Sequence, residues 1–353
     1  MNLENIRKNY KNIKKYAKIR VLAVVKANAY GHGAFEVAKA LELENADYFG
    51  VATVMEAISL REKGIKTPIL LFGFFADDEI ETLLKNDITL SVFDVDNLEN
   101  ISKIAKKIDK IAKIHIKIDT GMLRLGFKDF ESELILKFFS FENIFVEGIF
   151  SHFSSADIDT EKTKKQVLIF EKTIKNIQEL GYDVPVKHIS ATAGLMYFKE
   201  FNFDMVRAGI GLYGYYPDEK QEKNIEISPA MTVFSTIAQV KELKKSESVS
   251  YCGNFTAKQD MKIAVVTIGY ADGYFRGNSE KAYFMYKGKK TPILGNICMD
   301  MCMIDVSLIE NIEKGDRILV FGDGLGANVV ADFTNAISYE VLCAISDRVC
   351  RIY

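Results

Sequence analysis

Several features are missing from this sequence, and each absence removes a class of function. There is no basic excess: 46 lysines and arginines stand against 48 aspartates and glutamates, a net charge of −2, which argues against a nucleic-acid partner. No apolar run reaches the length of a membrane-spanning helix, so no membrane partner is expected. No charged segment, apolar segment and cleavage site open the chain in the manner of a secretory signal. Cysteine is scarce and odd in number: Cys252, Cys298, Cys302, Cys343 and Cys350 all fall in the last third. That pattern points to reduced thiols and a cytoplasmic setting rather than a disulfide framework. His32, His115, His152 and His188 are scattered, and Cys298 and Cys302 have no clustered partners, so no metal site is expected. There is no fixed-period repeat and no low-complexity tract.

What is present suits a globular protein, with 48% hydrophobic and 27% charged residues in a chain of 353. The length allows two domains, or one barrel with an appendage. The basic stretch Arg7–Arg20 reads as the solvated face of a helix, because Ile6, Tyr10, Ile13 and Ala17 recur at helical spacing. Short apolar runs follow at Val21–Val25, Tyr48–Ala52, Ile69–Phe72, Thr89–Phe93, Ile114–Ile118, Phe145–Phe150, Val186–Ile189 and Met205–Ala208. Such runs suit strands buried on both faces of a parallel sheet. Helical patterns lie between them at Ala34–Leu43, Thr53–Lys63, Asp78–Lys85, Asp96–Lys107, Phe130–Phe139 and Glu161–Leu180. The alternation predicts an α/β fold, a (β/α)₈ TIM-type barrel over residues 1–220. Asp218–Ser228 is polar and reads as a linker. A mainly-β C-terminal domain is predicted over 225–353, with runs at Met231–Val240, Lys262–Ile268, Ala282–Met285 and Arg317–Phe321.

Three strings carry chemistry. In Val24-Val25-Lys26-Ala27-Asn28-Ala29-Tyr30-Gly31-His32-Gly33, a lysine ends the first predicted strand, on the barrel face where active sites sit. A lysine there can form a Schiff base with an aldehyde cofactor. By spacing alone the more common fate is a lysine that snorkels at a strand end. In Ile116-Lys117-Ile118-Asp119-Thr120-Gly121-Met122-Leu123-Arg124-Leu125-Gly126, Lys117 and Asp119 share a strand face pointing into the barrel mouth. The bland reading of Asp119 is a structural pair with Lys117. Val206-Arg207-Ala208-Gly209-Ile210-Gly211-Leu212-Tyr213-Gly214 follows the eighth run, where barrels often bind phosphate. Small residues there let backbone N–H groups approach an anion.

These strings, with Ser151–Asp157, His188–Leu195, Val249–Tyr251, Ile268–Gly273, Gly295–Asp300 and Tyr339–Ser346, occur in order along nearly the whole chain. Together they resemble the bacterial alanine racemases, enzymes dependent on pyridoxal 5'-phosphate that act as head-to-tail homodimers. The resemblance implies that Lys26 binds the cofactor covalently and is one catalytic base. Tyr251, supplied by the partner subunit, is the base on the opposite face. Free lysine and tyrosine titrate near about 10.4 and 10, so such bases need tuning; Arg207 and His152 are the implied tuners. Cofactor-binding residues by resemblance are Lys26, Tyr30, Arg124, His152, Thr192, Arg207, Gly209, Ile210 and Tyr339. Arg124, which Lys117 (often carbamylated in the family) orients, and the backbone N–H of Met299 would bind the alanine carboxylate. Tyr270 and Arg276 would form an outer gate, and Asp300 is a supporting residue that reads equally well as a turn residue. Arg207 is implied to meet the pyridine nitrogen, where it has no acceptor to offer. Tyr339 favours alanine over serine. The implied role is supply of D-alanine for peptidoglycan.

Some positions depart from the family pattern. Most relatives carry a short strand before the point where this chain begins, a departure that bears on the edge of the C-terminal domain and on the dimer. Thr192 stands where many relatives carry serine, Cys252 replaces the glycine usual after the catalytic tyrosine, and Met301 stands where glutamine is common. The rival readings are a racemase of serine or of broad specificity, a decarboxylase of the same fold type, and a non-catalytic pyridoxal-phosphate carrier. Arg207, Tyr251 and the second domain argue against the last two.

Overall fold

The computed structural model describes residues 1–128 and 132–353. The chain falls into two compact units, one of residues Leu3–Ala29 and Ala34–Ser228, the other of Met1–Asn2, Tyr30–Gly33 and Pro229–Tyr353.

The first unit is an eight-stranded parallel sheet in the order β7-β6-β5-β4-β3-β2-β1-β8. Its strands are β1 (Arg20–Val24), β2 (Tyr48–Val51), β3 (Ile69–Leu71), β4 (Ile88–Val92), β5 (Ala112–Lys117), β6 (Ile144–Phe150), β7 (Val186–His188) and β8 (Met205–Ala208). The two ends meet: Asp204 N–H donates to Lys187 O and Arg207 N–H to Ser190 O, each at 3.0 Å. β2, β3, β4 and β8 are buried along their whole length. That is why each reads as a continuous apolar run instead of an alternating one. Each expected strand exists, with ends displaced by at most two residues.

Helices α1 (Leu3–Ala17), α2 (Ala34–Glu42), α3 (Val54–Glu62), α4 (Ile80–Lys85), α5 (Val95–Lys107), α6 (Ser132–Phe139), α7 (Thr160–Glu179) and α8 (Thr192–Tyr197) accompany them. The helix expected at Phe130–Phe139 is described from Ser132; its first two residues lie outside the described residues. The basic helix differs from its expected extent. α1 stops at Ala17, Lys18 takes φ 58°, and Arg20 opens β1. The buried positions Ile6, Tyr10, Ile13 and Ala17 are those the periodicity marked. Residues 218–228, read as a linker, belong to the barrel unit: Asn9 Nδ2 donates to Ser228 O at 2.8 Å, and Ile225 and Ile227 are buried.

The second unit contains a closed six-stranded barrel in the order β12-β15-β14-β13-β16-β9. Its strands are β9 (Val233–Leu243), β12 (Met261–Val266), β13 (Tyr283–Tyr286), β14 (Lys289–Leu294), β15 (Cys302–Asp305) and β16 (Arg317–Phe321). β14 and β15 were not expected: Lys289, Lys290 and Pro292 mask the pattern of β14, and β15 is only four residues long. A separate hairpin pairs β10 (Ser248–Val249) with β11 (Phe255–Thr256). Two short helices, α9 (Ala327–Asp332) and α10 (Ser338–Ala344), follow the barrel. Met1 and Asn2 also belong to this unit, where Asn2 N–H donates to Ala230 O at 2.7 Å. No helix among the described residues is long and apolar enough to cross a membrane.

Candidate active site

Lys26 follows the C-terminal end of β1 and is half-buried. β1 pairs with β8 in the register Leu22 opposite Arg207, so both strings end at the same mouth of the barrel. The backbone after Lys26 is unusual: Ala27, Asn28 and Ala29 have φ 52° and Tyr30 φ 51°. A left-handed turn of non-glycine residues costs about 1 kcal/mol or more per residue, so it must be held. Ala29 N–H donates to Val25 O at 2.9 Å, Ala34 N–H to Asn28 Oδ1 at 2.8 Å, and Ala27 N–H to Glu56 Oε1 at 2.6 Å. Glu56 was not singled out from sequence. It is the third residue of α3, and its other oxygen closes a capping box with Thr53. The Thr53-x-x-Glu56 spacing is a signal that could have found it.

Lys117 ends β5 and is buried, its Nζ 4.3 Å from the centroid of the Phe150 ring. Loss of solvation, then the fields of Arg207 and Arg124, hold its amine well below the usual lysine range. Asp119 is not paired with Lys117. Its Oδ1 accepts the backbone N–H groups of Gly121, Met122 and Leu123 at 2.8, 3.0 and 3.1 Å. The aspartate therefore shapes the loop that carries Arg124, which is exposed.

Arg207 is 3% exposed in β8. Its Nη2 shares two hydrogens among Ser151 O, Ile189 O and His152 Nδ1, at 2.8, 2.7 and 2.9 Å, and Nη1 donates to His188 Nδ1 at 2.8 Å. A guanidinium has no lone pair to give, so both imidazoles must accept with Nδ1 and carry their proton on Nε2. Burial, then Arg124, pushes the guanidinium down to about 9, still charged at neutral pH. His152 lies well below the usual imidazole range, through desolvation first and Arg207 second. Thr192 opens α8 and is buried; Gly209 and Gly211 N–H groups converge on its Oγ1 at 3.1 and 3.4 Å. Ile210 is buried beside them.

The remaining predicted residues lie in the second unit. The Tyr30 and Tyr339 rings are 6.0 Å apart, and burial raises the Tyr30 phenol above its usual range. Tyr251 is 71% exposed in the turn of the β10–β11 hairpin. Ser250 (φ 69°) and Cys252 (φ 66°) flank it in the left-handed region. That geometry gives a physical reason for a glycine after the tyrosine. Tyr270 N–H donates to Cys298 O at 3.1 Å and Ala271 N–H to Met299 O at 3.0 Å, which brings the gate and carboxylate strings together. Asn296, buried and not singled out from sequence, donates Nδ2 to Tyr251 O at 2.8 Å and accepts from Arg276 Nη2 at 3.4 Å. Asp300 pairs with Arg348 at 2.7 Å on the surface.

These residues suit pyridoxal phosphate: an amine at the barrel mouth, a hydroxyl with converging backbone N–H groups for a phosphate, and the buried guanidinium of Arg207. Two family models match: the alanine racemase N-terminal domain over residues 1–217 and the C-terminal domain over 230–353. The alanine racemase of Methanococcus maripaludis is 43% identical, covering 100% of this chain and 97% of its own. The solved alanine racemase of Clostridium difficile 630 aligns with TM-score 0.95 at 39% identity, over 100% of this chain and 94% of its own. That of Bartonella henselae, solved with covalently bound pyridoxal phosphate, aligns with TM-score 0.91 at 28% identity, over 100% and 98%.

Proposed function

This chain belongs to the alanine racemase family, and from that premise we propose that it interconverts L- and D-alanine with pyridoxal phosphate held by Lys26, using Lys26 and Tyr251 as its two bases. The observation that supports the reading is that Lys26 follows the C-terminal end of β1, the strand that pairs with β8, where Arg207 is buried.

When bound, the cofactor draws electrons from the amino acid Cα and so makes its proton removable. Lys26 Nζ takes or returns that proton on one face. The Tyr251 hydroxyl, from a second copy of the chain in a head-to-tail homodimer, serves the other; its exposed position in a hairpin turn suits that delivery. His152, with its proton fixed on Nε2 by Arg207, can donate toward the phenolate. Arg207, which has only donors, would face the ring nitrogen, discourage protonation there and so favour simple return of the proton to Cα. Thr192, Gly209, Ile210, Tyr30 and Tyr339 would hold the phosphate. Arg124 and the Met299 N–H would hold the substrate carboxylate, and Tyr270 and Arg276 would gate the entrance. A neutral Lys117 amine is the form that takes up CO₂ as a carbamate, whose charge would then orient Arg124. The setting proposed is the cytoplasm, with D-alanine passing to peptidoglycan.

The test is the optical rotation of L-alanine incubated with the protein and pyridoxal phosphate. Decay to zero by the wild type and none by Lys26→Ala is expected. Persistent rotation with wild type would sink the assignment; decay with L-serine at a comparable rate would move it to a broad-specificity racemase.

A further inference from the structure

Arg207 donates to carbonyls and imidazoles, and the carboxylate facing the far end of this network is two histidines away. His188 Nδ1 accepts from Arg207, so its single proton lies on Nε2, and that proton is donated to His115 Nδ1 at 2.9 Å. His115 Nδ1 is then an acceptor, and its own proton must lie on Nε2. Among the described residues His115 Nε2 makes no conventional hydrogen bond, but Glu147 Oε2 stands 3.4 Å from it. Tyr48 donates its hydroxyl to the same oxygen, Thr89 Oγ1 lies 3.4 Å from it, and Lys113 Nζ is 3.9 Å from Glu147 Oε1. Tyr48 opens β2 and Thr89 is second in β4, so Glu147 lies toward the barrel's N-terminal mouth.

Burial leaves no room for another arrangement. His115 and His188 are fully buried, and loss of solvation holds both below the ordinary imidazole range, where they are neutral. A reversed tautomer of either would set two N–H groups against each other. The backbone is shaped around the pair. β5 and β6 slip register between Ile114 and His115, and a Cβ on Gly148, opposite His115, would meet its ring at 2.5 Å. The Phe150 ring stacks on His188 at 4.9 Å between centroids.

We propose that His115 and His188 form a one-way hydrogen-bond relay that positions Arg207, with the Glu147 carboxylate set against the N–H at its far end, toward the N-terminal mouth of the barrel. The functional part rests on the role given to Arg207 above; the proton placement does not. Glu147 and His115 are positioning residues, acting only through His188.

The test uses the full chain labelled with ¹⁵N-histidine, which has only four histidines to assign. Long-range ¹H–¹⁵N spectra at pH 7, with and without pyridoxal phosphate, should show His115 and His188 both protonated on Nε2 only. A proton on Nδ1 of His188, or a doubly protonated ring, overturns the relay. In Glu147→Gln, which keeps shape but loses charge, the His188 resonances should move; kcat should fall about tenfold with KM for L-alanine changed less than about twofold, the size of loss an outer partner's removal gives at metal sites. A folded Glu147→Gln with wild-type His188 signals and kcat overturns the proposal. If that variant does not fold, the wild-type spectra decide by themselves. A wild type that fails to racemise alanine would refute the functional reading while the spectra still judge the relay.

Discussion

At the level of single residues, the buried histidines give the protein a definite acid response. Unfolded imidazoles take up protons below about pH 6.5, whereas His115 and His188 in the folded chain resist protonation because burial withholds solvent from the cation. The unfolded state therefore binds more protons. Stability is fully present above that pH and is lost as pH falls toward the lowered folded values, at up to about 1.4 kcal/mol per pH unit for each ring. Lys117, also depressed, adds a slope of the same sign across the higher range. Urea unfolding at pH 7, 6 and 5 checks this; a flat profile across that range would contradict the burial argument. The resemblance implied a shared tuning role for His152 and Arg207, but His115 and His188 were invisible as a pair. They lie 73 positions apart, and only the pairing of β5 with β6 and β6 with β7 makes them neighbours.

Among elements, the start of α3 does two things with one side chain. Glu56 closes the capping box with Thr53 and accepts the N–H of Ala27, next to the lysine. Thr53→Ala removes only the cap and should cost about 1 kcal/mol with kcat little changed. Glu56→Ala removes the cap and also frees a left-handed turn that local preference opposes. It should lower stability by at least as much and reduce alanine racemisation severely. Comparing denaturation midpoints with kcat for both variants separates the roles, and equal kcat in the two would refute the second one. The capping spacing is readable in sequence. Its use on Ala27 is not, because it depends on β1 and β2 lying side by side.

For the whole molecule, the proposed division of bases between two copies has a quantitative consequence. Lys26→Ala and Tyr251→Phe proteins should each be inactive alone. Unfolded together and refolded as a mixture, they should recover about a quarter of wild-type activity, because half the dimers are mixed and each mixed dimer holds one intact site. No recovery, with mixed dimers shown to form by mass spectrometry, would mean that both bases come from one chain.

The sequence by itself determined the order of elements and the chemical inventory. Buried parallel strands must be apolar along their length, so eight runs and the helices between them were legible; Lys26, Arg207 and Tyr251 stood out only through the family resemblance of their strings. It did not determine which polar groups would share the barrel's interior, nor that Asp119 would turn from Lys117 to the backbone of the Arg124 loop. Nor did it mark the left-handed backbone at Cys252 and Ala27. Those outcomes depend on closure of the sheet, which brings distant strands within hydrogen-bond reach and leaves each buried donor only the acceptors that topology supplies.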